Sequence, residues 1–202
     1  MYTLYDFLPS GNGYKVRLLL NQLGISYELV EKDIVKGETR TPEFLNLNSN
    51  GRIPLLQLEN GECLAESNAI LMYLAEGTPF LPDEKLLKAR VLQWMFFEQY
   101  SHEPNIAVVR YWMTHGGPDE EQQRQLPSKM QSGYAALDVM EKQLSQSDFL
   151  VGGKYSVADI ALYAYTHVAH EGNFDLSGYP AINAWLLRVQ SRPNHLLITD
   201  RK

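Results

Sequence analysis

The chain has 202 residues, 45% hydrophobic and 21% charged, enough for one large domain or two small ones with a sizeable core. A net charge of −6 and a pI near 5.4 argue against nucleic acid or an acidic membrane surface as the main partner. The single cysteine, Cys63, excludes an intramolecular disulfide and any Cys-x-x-Cys redox or zinc site, and it fits a reducing compartment.

Met1 to Asp6 carries neither a basic nor a long apolar stretch, so no signal peptide is expected, and no uncharged apolar run reaches membrane-spanning length. Tyr2 to Phe7 is a β-prone aromatic run. Pro9-Ser10-Gly11-Asn12-Gly13 is dense turn chemistry. Val16, Leu19, Leu20 and Leu23 then make a helical stripe that Gly24 ends, and Tyr27 to Val30 reads as a second strand. This β-loop-α-β order implies a parallel pair with a crossover helix. Residues 34 to 40 read as loop, and Thr41-Pro42-Glu43 as a capped start to a short helix. Ile53 to Leu58 and Cys63-Leu64 are strands around an Asn60-Gly61 hairpin turn. Pro54 at the head of an apolar run is either an ordinary strand-start proline or a cis-proline facing a ligand. Glu66-Ser67 opens a helix running to about Glu76, where Ser67 is either a plain N-cap or part of an anion site.

Gly77 to Asp83, with two prolines and a glycine, marks a boundary, and after it the β signal disappears. Leu86 to Met113 is one long helical segment that Pro104 should kink or split. Glu120 to Gln146 is another helix. Ser156-Val157-Ala158-Asp159 is a helix start with a short-armed capping box, leading into a face of Val157, Ile160, Ala161, Ala164 and Val168 that suits a central, closely packed helix. Pro180 to Val189 is the last helix, and the polar tail after Ser191 should wrap the surface. The fold class is thus an α/β N-terminal domain followed by an all-α C-terminal domain: residues 1–77, a linker at 78–85, and residues 86–202.

Several motifs in this order carry a family resemblance: Pro9-Ser10-Gly11-Asn12-Gly13-Tyr14-Lys15-Val16-Arg17, Gly51-Arg52-Ile53-Pro54, Glu66-Ser67-Asn68-Ala69-Ile70, and Ser156-Val157-Ala158-Asp159. Across nearly the whole chain the pattern resembles the cytosolic glutathione transferases, in particular serine-type, bacterial-like members. The resemblance implies a thioredoxin-like first domain, a helical second domain carrying the second-substrate site, a homodimer, and a cytoplasmic enzyme of detoxification. Glutathione would be co-substrate, and no further cofactor, metal, nucleic acid or membrane is implied. It also implies that Pro54 is cis and that Glu66 and Ser67 hold the γ-glutamyl end of glutathione.

Such an enzyme needs a donor aimed at sulfur, because a thiol of pKa about 8.5 is only a few per cent ionised at neutral pH. A hydrogen bond to the thiolate lowers that pKa. Tyr5, Ser10 and Tyr14 are the nearby hydroxyls. Ser10, at the end of the first strand, matches the family's catalytic serine and is favoured; Asn12 is the alternative, and Tyr5 reads as packing. The absence of a cysteine from this loop speaks against members that form mixed disulfides with glutathione. Ile53, before the presumed cis-proline, would pair through its backbone with the cysteinyl unit. Arg40 sits where relatives carry a basic residue for the glycyl carboxylate; Arg52 is a second cation near the site, and Lys15 the weakest candidate. Tyr100, His102, Asn105, Val109 and Arg110, with Phe97 and Trp112, are candidates for the second-substrate pocket. Asp159 matches a folding position and is set apart from the site. A glutathione-dependent peroxidase or disulfide reductase, and a non-enzymatic glutathione-transferase-like binding module, are the competing readings.

Overall fold

The computed structural model describes residues 1–201; residue 202 lies outside the described residues. The chain forms two compact units, one of Met1–Glu76 together with the tail from Pro193, the other of Gly77–Arg192. The tail therefore belongs to the first unit, whereas the sequence reading assigned it to the helical half.

In the first unit, β1 (Tyr2–Asp6), α1 (Gly11–Leu23) and β2 (Tyr27–Glu31) build a parallel pair with its crossover helix. Gly24 ends α1 in the left-handed region at φ 68°, and its amide reaches back to the carbonyls of Leu20 and Asn21. The short α2 (Pro42–Leu47) starts as the sequence indicates, with Pro42 at its first position and the Thr41 hydroxyl accepting the Phe44 N–H at 3.3 Å. Strands β3 (Leu55–Gln57) and β4 (Cys63–Ala65) add antiparallel partners, giving the order β2-β1-β3-β4. β3 is shorter than the apolar run, because Ile53 and Pro54 precede its first ladder pair, Leu55 with Ala65. The helix α3 (Ser67–Ala75) packs with α1 over a core of Leu4, Val16, Leu19, Leu20, Leu55, Leu56, Ile70 and Leu71.

In the second unit, α4 (Lys85–Phe97) runs into a π-helical turn at Glu98–His102, from which α5 (Glu103–Thr114) continues. Pro104 thus sits in the first turn of a new helix, where its missing N–H breaks no bond, and the widened turn before it absorbs the mismatch. α6 (Glu120–Leu144) follows behind a capping box of Asp119 and Gln122. α7 (Val157–Thr166) is buried on every face, and α8 (Pro180–Gln190) covers it through Trp185.

Asp159 ties this unit together. Its Oδ1 accepts the Leu150 N–H and the Trp185 Nε1–H, each at 3.0 Å, and its Oδ2 accepts the Ser156 N–H at 2.9 Å and the Ser156 hydroxyl at 3.2 Å. Burial pushes the carboxyl up to about 6, against the pull of these donors. Replacing it by asparagine turns an amide NH2 onto at least one N–H group that can only donate. Asp159→Asn should cost about 2–4 kcal/mol, read by urea denaturation with tryptophan fluorescence, since Trp94, Trp112 and Trp185 all lie in this unit. The sign of its pH dependence follows from a folded value above the ordinary 3.8. The stability Asp159 contributes is full below that ordinary value, declines as pH rises toward 6, and is level above. The deficit of the variant should therefore be larger at about pH 5 than at about pH 7.5; a deficit that grows with pH would contradict the assignment.

Candidate active site

The site is organised from the end of β1. Asp6 and Arg17 are both fully buried, and Arg17 Nε donates to Asp6 Oδ2 at 2.8 Å. Three of the four remaining guanidinium N–H groups reach the carbonyls of Leu8 at 2.7 Å, Asp200 at 2.8 Å and Ile198 at 2.9 Å. Tyr14 adds a hydroxyl bond to the Leu196 carbonyl at 2.6 Å, and Arg201 pairs with Glu31 at 2.8 Å. The tail is thereby clamped onto α1 and β2. Burial pushes the Asp6 carboxyl up to about 6, while the charge and hydrogen bond of Arg17 and the Phe7 N–H pull it down. Gly13 packs directly on Asp6, so that a methyl group there would overlap the carboxylate. This explains the glycine after Asn12: it lets the first turn of α1 close onto the strand end.

Ser10 is the N-cap residue of α1, half-buried, with its N–H on the Phe7 carbonyl at 2.7 Å; its side chain caps no helix amide. Asn12, two residues on, is anchored. Its Oδ1 accepts from Lys15 Nζ at 2.8 Å and from Ser67 Oγ at 3.3 Å, and Lys15 Nζ also reaches Ser67 Oγ at 3.4 Å. Lys15 is fully buried and Ser67 nearly so. The first turns of α1 and α3 therefore meet at a Lys15–Asn12–Ser67 cluster. Neither helix carries an acidic residue within its own first turn, so the positive ends of both dipoles lie at this cluster.

Glu66, not Ser67, is the N-cap residue of α3. It is exposed and held at φ 70°, a conformation that costs a side-chain-bearing residue on the order of 1–3 kcal/mol. The Ile53–Pro54 peptide is cis. The turn before it is shaped by Asn48, which sequence reasoning passed over: its Nδ2 donates to the Arg52 carbonyl at 2.8 Å and its Oδ1 accepts the Asn50 N–H at 3.1 Å. An asparagine two residues before Asn50-Gly51 was the available signal. Arg40 and Arg52 are both exposed, and Arg40 braces the same turn through an Nη1 bond to the Asn50 carbonyl at 2.9 Å. Gly51 at φ 61° is required there, since a Cβ would strike the Thr39 carbonyl at 2.9 Å. Ser10, Asn12, Ile53, Pro54, Glu66 and Ser67 thus all sit at the ends of β1 and β3 and the starts of α1 and α3. Tyr5 is a packing residue, edge-on to Phe44, and the Tyr14 hydroxyl is committed to the tail.

The second-substrate candidates are scattered in the helical unit. Tyr100 is 83% exposed, while Val109 is fully buried. His102 is also fully buried, with Nε2 2.9 Å from the Thr166 hydroxyl. Asn105 Nδ2 donates to the Ser101 carbonyl at 2.7 Å, and Arg110 Nε to Glu171 Oε2 at 2.7 Å. Among the described residues no group of three or more His, Cys, Asp or Glu side chains could hold a metal ion, and no helix is long and apolar enough to cross a membrane.

A thioredoxin-like βαβ-ββα unit with a cis-proline before β3, followed by a helical unit, defines the class. Residues 1–76 match the family model described as glutathione S-transferase, N-terminal domain, and residues 102–193 the one described as glutathione S-transferase, C-terminal domain. The disulfide-bond oxidoreductase YfcG of Escherichia coli K12 is 34% identical over 96% of this chain and 92% of its own. A crystal structure of a glutathione S-transferase from Pseudomonas fluorescens Pf-5 superposes with a TM-score of 0.96 at 57% identity, covering 98% of this chain and 99% of that one. The glutathione transferase URE2P8 from Phanerochaete chrysosporium, crystallised with oxidized glutathione, superposes with a TM-score of 0.86 at 28% identity, covering 96% and 90%. The chain belongs to the glutathione S-transferase family.

Arg17→Met keeps much of the buried volume but strands the Asp6 carboxylate and frees three carbonyls. It should cost about 3–5 kcal/mol of stability and raise hydrogen exchange in β1, α1 and residues 193–201; a loss under about 0.5 kcal/mol would show the clamp to be dispensable.

Proposed function

We propose that the protein is a glutathione transferase that ionises the glutathione thiol and directs it onto a hydrophobic electrophile. The observation that carries this reading is the Lys15–Asn12–Ser67 cluster where two helix N-termini meet, beside the cis-proline. The γ-glutamyl carboxylate binds at the α3 N-terminus through Ser67, and its ammonium at Glu66. The cysteinyl backbone pairs with Ile53, and the glycyl carboxylate takes the free edge of the Arg40 guanidinium, with Arg52 adding positive charge. Sulfur is then left over the start of α1, within the compass of the Ser10 hydroxyl and the Asn12 amide. A donor there favours the thiolate, which attacks the electrophilic carbon; the C–S bond of a thioether forms as a leaving group departs with its bonding pair, or as a conjugated double bond opens and takes up a proton. The sequence alone favours Ser10; the anchoring of Asn12 shifts the larger share to its amide, because an oriented donor has no rotor entropy to lose. Tyr100 and Asn105 remain the more open of the second-substrate candidates.

A second reading is glutathione-dependent disulfide reduction, in line with the name of the Escherichia coli relative. Cys63 lies in β4, and its thiol is pushed up by burial, so such chemistry would run through the thiol of glutathione itself. A homodimer and a cytoplasmic detoxifying role complete the proposal; the exposed Leu86, Leu92 and Phe96 on α4 are apolar side chains that a second subunit would cover.

The protein should be retained on immobilised glutathione and eluted by the free tripeptide; failure to bind would favour a pure interaction module. Asn12→Ala should lower kcat/KM by about tenfold or more, equivalent to about 1.4 kcal/mol, and raise the pH at which bound glutathione ionises. Ser10→Ala should do the same to a smaller extent. Assay with a panel of electrophiles, peroxides and mixed disulfides separates the two enzymatic readings.

A further inference from the structure

Lys15 is the one residue of the cluster with no place in the mechanism above. Its ammonium is out of solvent, 2.8 Å from Asn12 Oδ1. A lysine ammonium donates and never accepts, so the end of the Asn12 carboxamide that faces it must be oxygen. Ser67 Oγ, 3.3 Å from the same Oδ1, reinforces that orientation. The amide nitrogen Nδ2 is therefore fixed at the opposite edge of the carboxamide plane. Asn12 and Lys15 are one helical turn apart, so the bond is local to α1 and is set as soon as that turn forms.

We propose that Lys15 is a positioning residue: it locks the Asn12 carboxamide so that Nδ2, rather than Oδ1, is presented to the glutathione sulfur. Without this lock the carboxamide rotates, and half of its orientations aim an acceptor lone pair at the thiolate. The lock also couples the two halves of the tripeptide site, since the same ammonium reaches Ser67 Oγ at the γ-glutamyl end. It rests on the glutathione reading given above, and its test keeps the two apart.

Lys15→Met retains the aliphatic stem without the donor. In this variant the thiol pKa of bound glutathione, read from thiolate absorbance, should rise by about one or more, with kcat falling about tenfold and glutathione KM changing far less. In the Asn12→Ala background the same substitution should shift the thiol pKa no further, because the Asn12 carboxamide is the route by which Lys15 influences the sulfur. Additive effects of the two substitutions would overturn the assignment. A measurement on the unmodified protein covers the case in which Lys15→Met does not fold. The Asn12 side-chain amide should relax as a rigid group, with an order parameter near the backbone value of about 0.85, and a mobile amide, below about 0.6, would overturn the lock. Calorimetry of the unmodified protein with glutathione stands apart from both. Absence of binding there defeats the glutathione reading itself, whereas binding with additive variants defeats Lys15 alone.

Discussion

The first unit depends on burying a charge pair at the end of its first strand. Asp6 and Arg17 are wholly removed from water, and such a pair is tolerable only when every remaining donor and acceptor is met. Arg17 comes close to that condition, each of its nitrogens bonded, with three carbonyls beyond Asp6, two of them from the tail. The consequence is geometric. Asp6 packs against Gly13, Gly13 sets how closely α1 approaches β1, and that approach sets where Ser10 and Asn12 stand. The loop of Ser10 and Asn12 is thus held by the buried ion pair of Asp6 and Arg17.

The same economy governs the neighbouring cation. Lys15 is two residues before Arg17, and both are buried within a helix whose remaining inward residues are apolar. A helix that carries two buried cations is expensive unless each has a task. Arg17 closes the clamp on the tail, and Lys15 joins the first turns of α1 and α3. Glu66 at φ 70° belongs to the same picture, because local backbone strain is retained only where surrounding structure holds it.

The helical unit follows a different logic. Its organising group is Asp159, a single carboxylate with four donors that pins the start of α7, the Leu150 segment and Trp185 of α8. The π-turn before Pro104 shows how such a scaffold accommodates a proline: the chain widens one turn and restarts the helix with the proline in its first turn. Of the residues that looked pocket-like in sequence, His102 and Val109 are fully buried, with His102 against the Thr166 hydroxyl, and Arg110 is paired with Glu171. Aromatic and polar residues at helical spacing do not by themselves reveal which side of a helix faces a ligand.

By itself the sequence determined everything that short-range chemistry controls. Turn residues, caps and periodicity placed the βαβ start, the Thr41-Pro42 helix entry, the Asn60-Gly61 hairpin and the Ser156 helix start. Motif order brought out Ser10, Asn12, Pro54, Glu66 and Ser67 as one group. Only the tertiary structure decided the contacts between residues distant in the chain. These include the return of the tail to Arg17 and Tyr14, the glycine forced by Asp6, and the meeting of Asn12 with Ser67 fifty-five residues on. Nothing in the sequence marks Lys15 and Arg17 as buried, because a charge in a sequence carries no record of the oxygen atoms it will find.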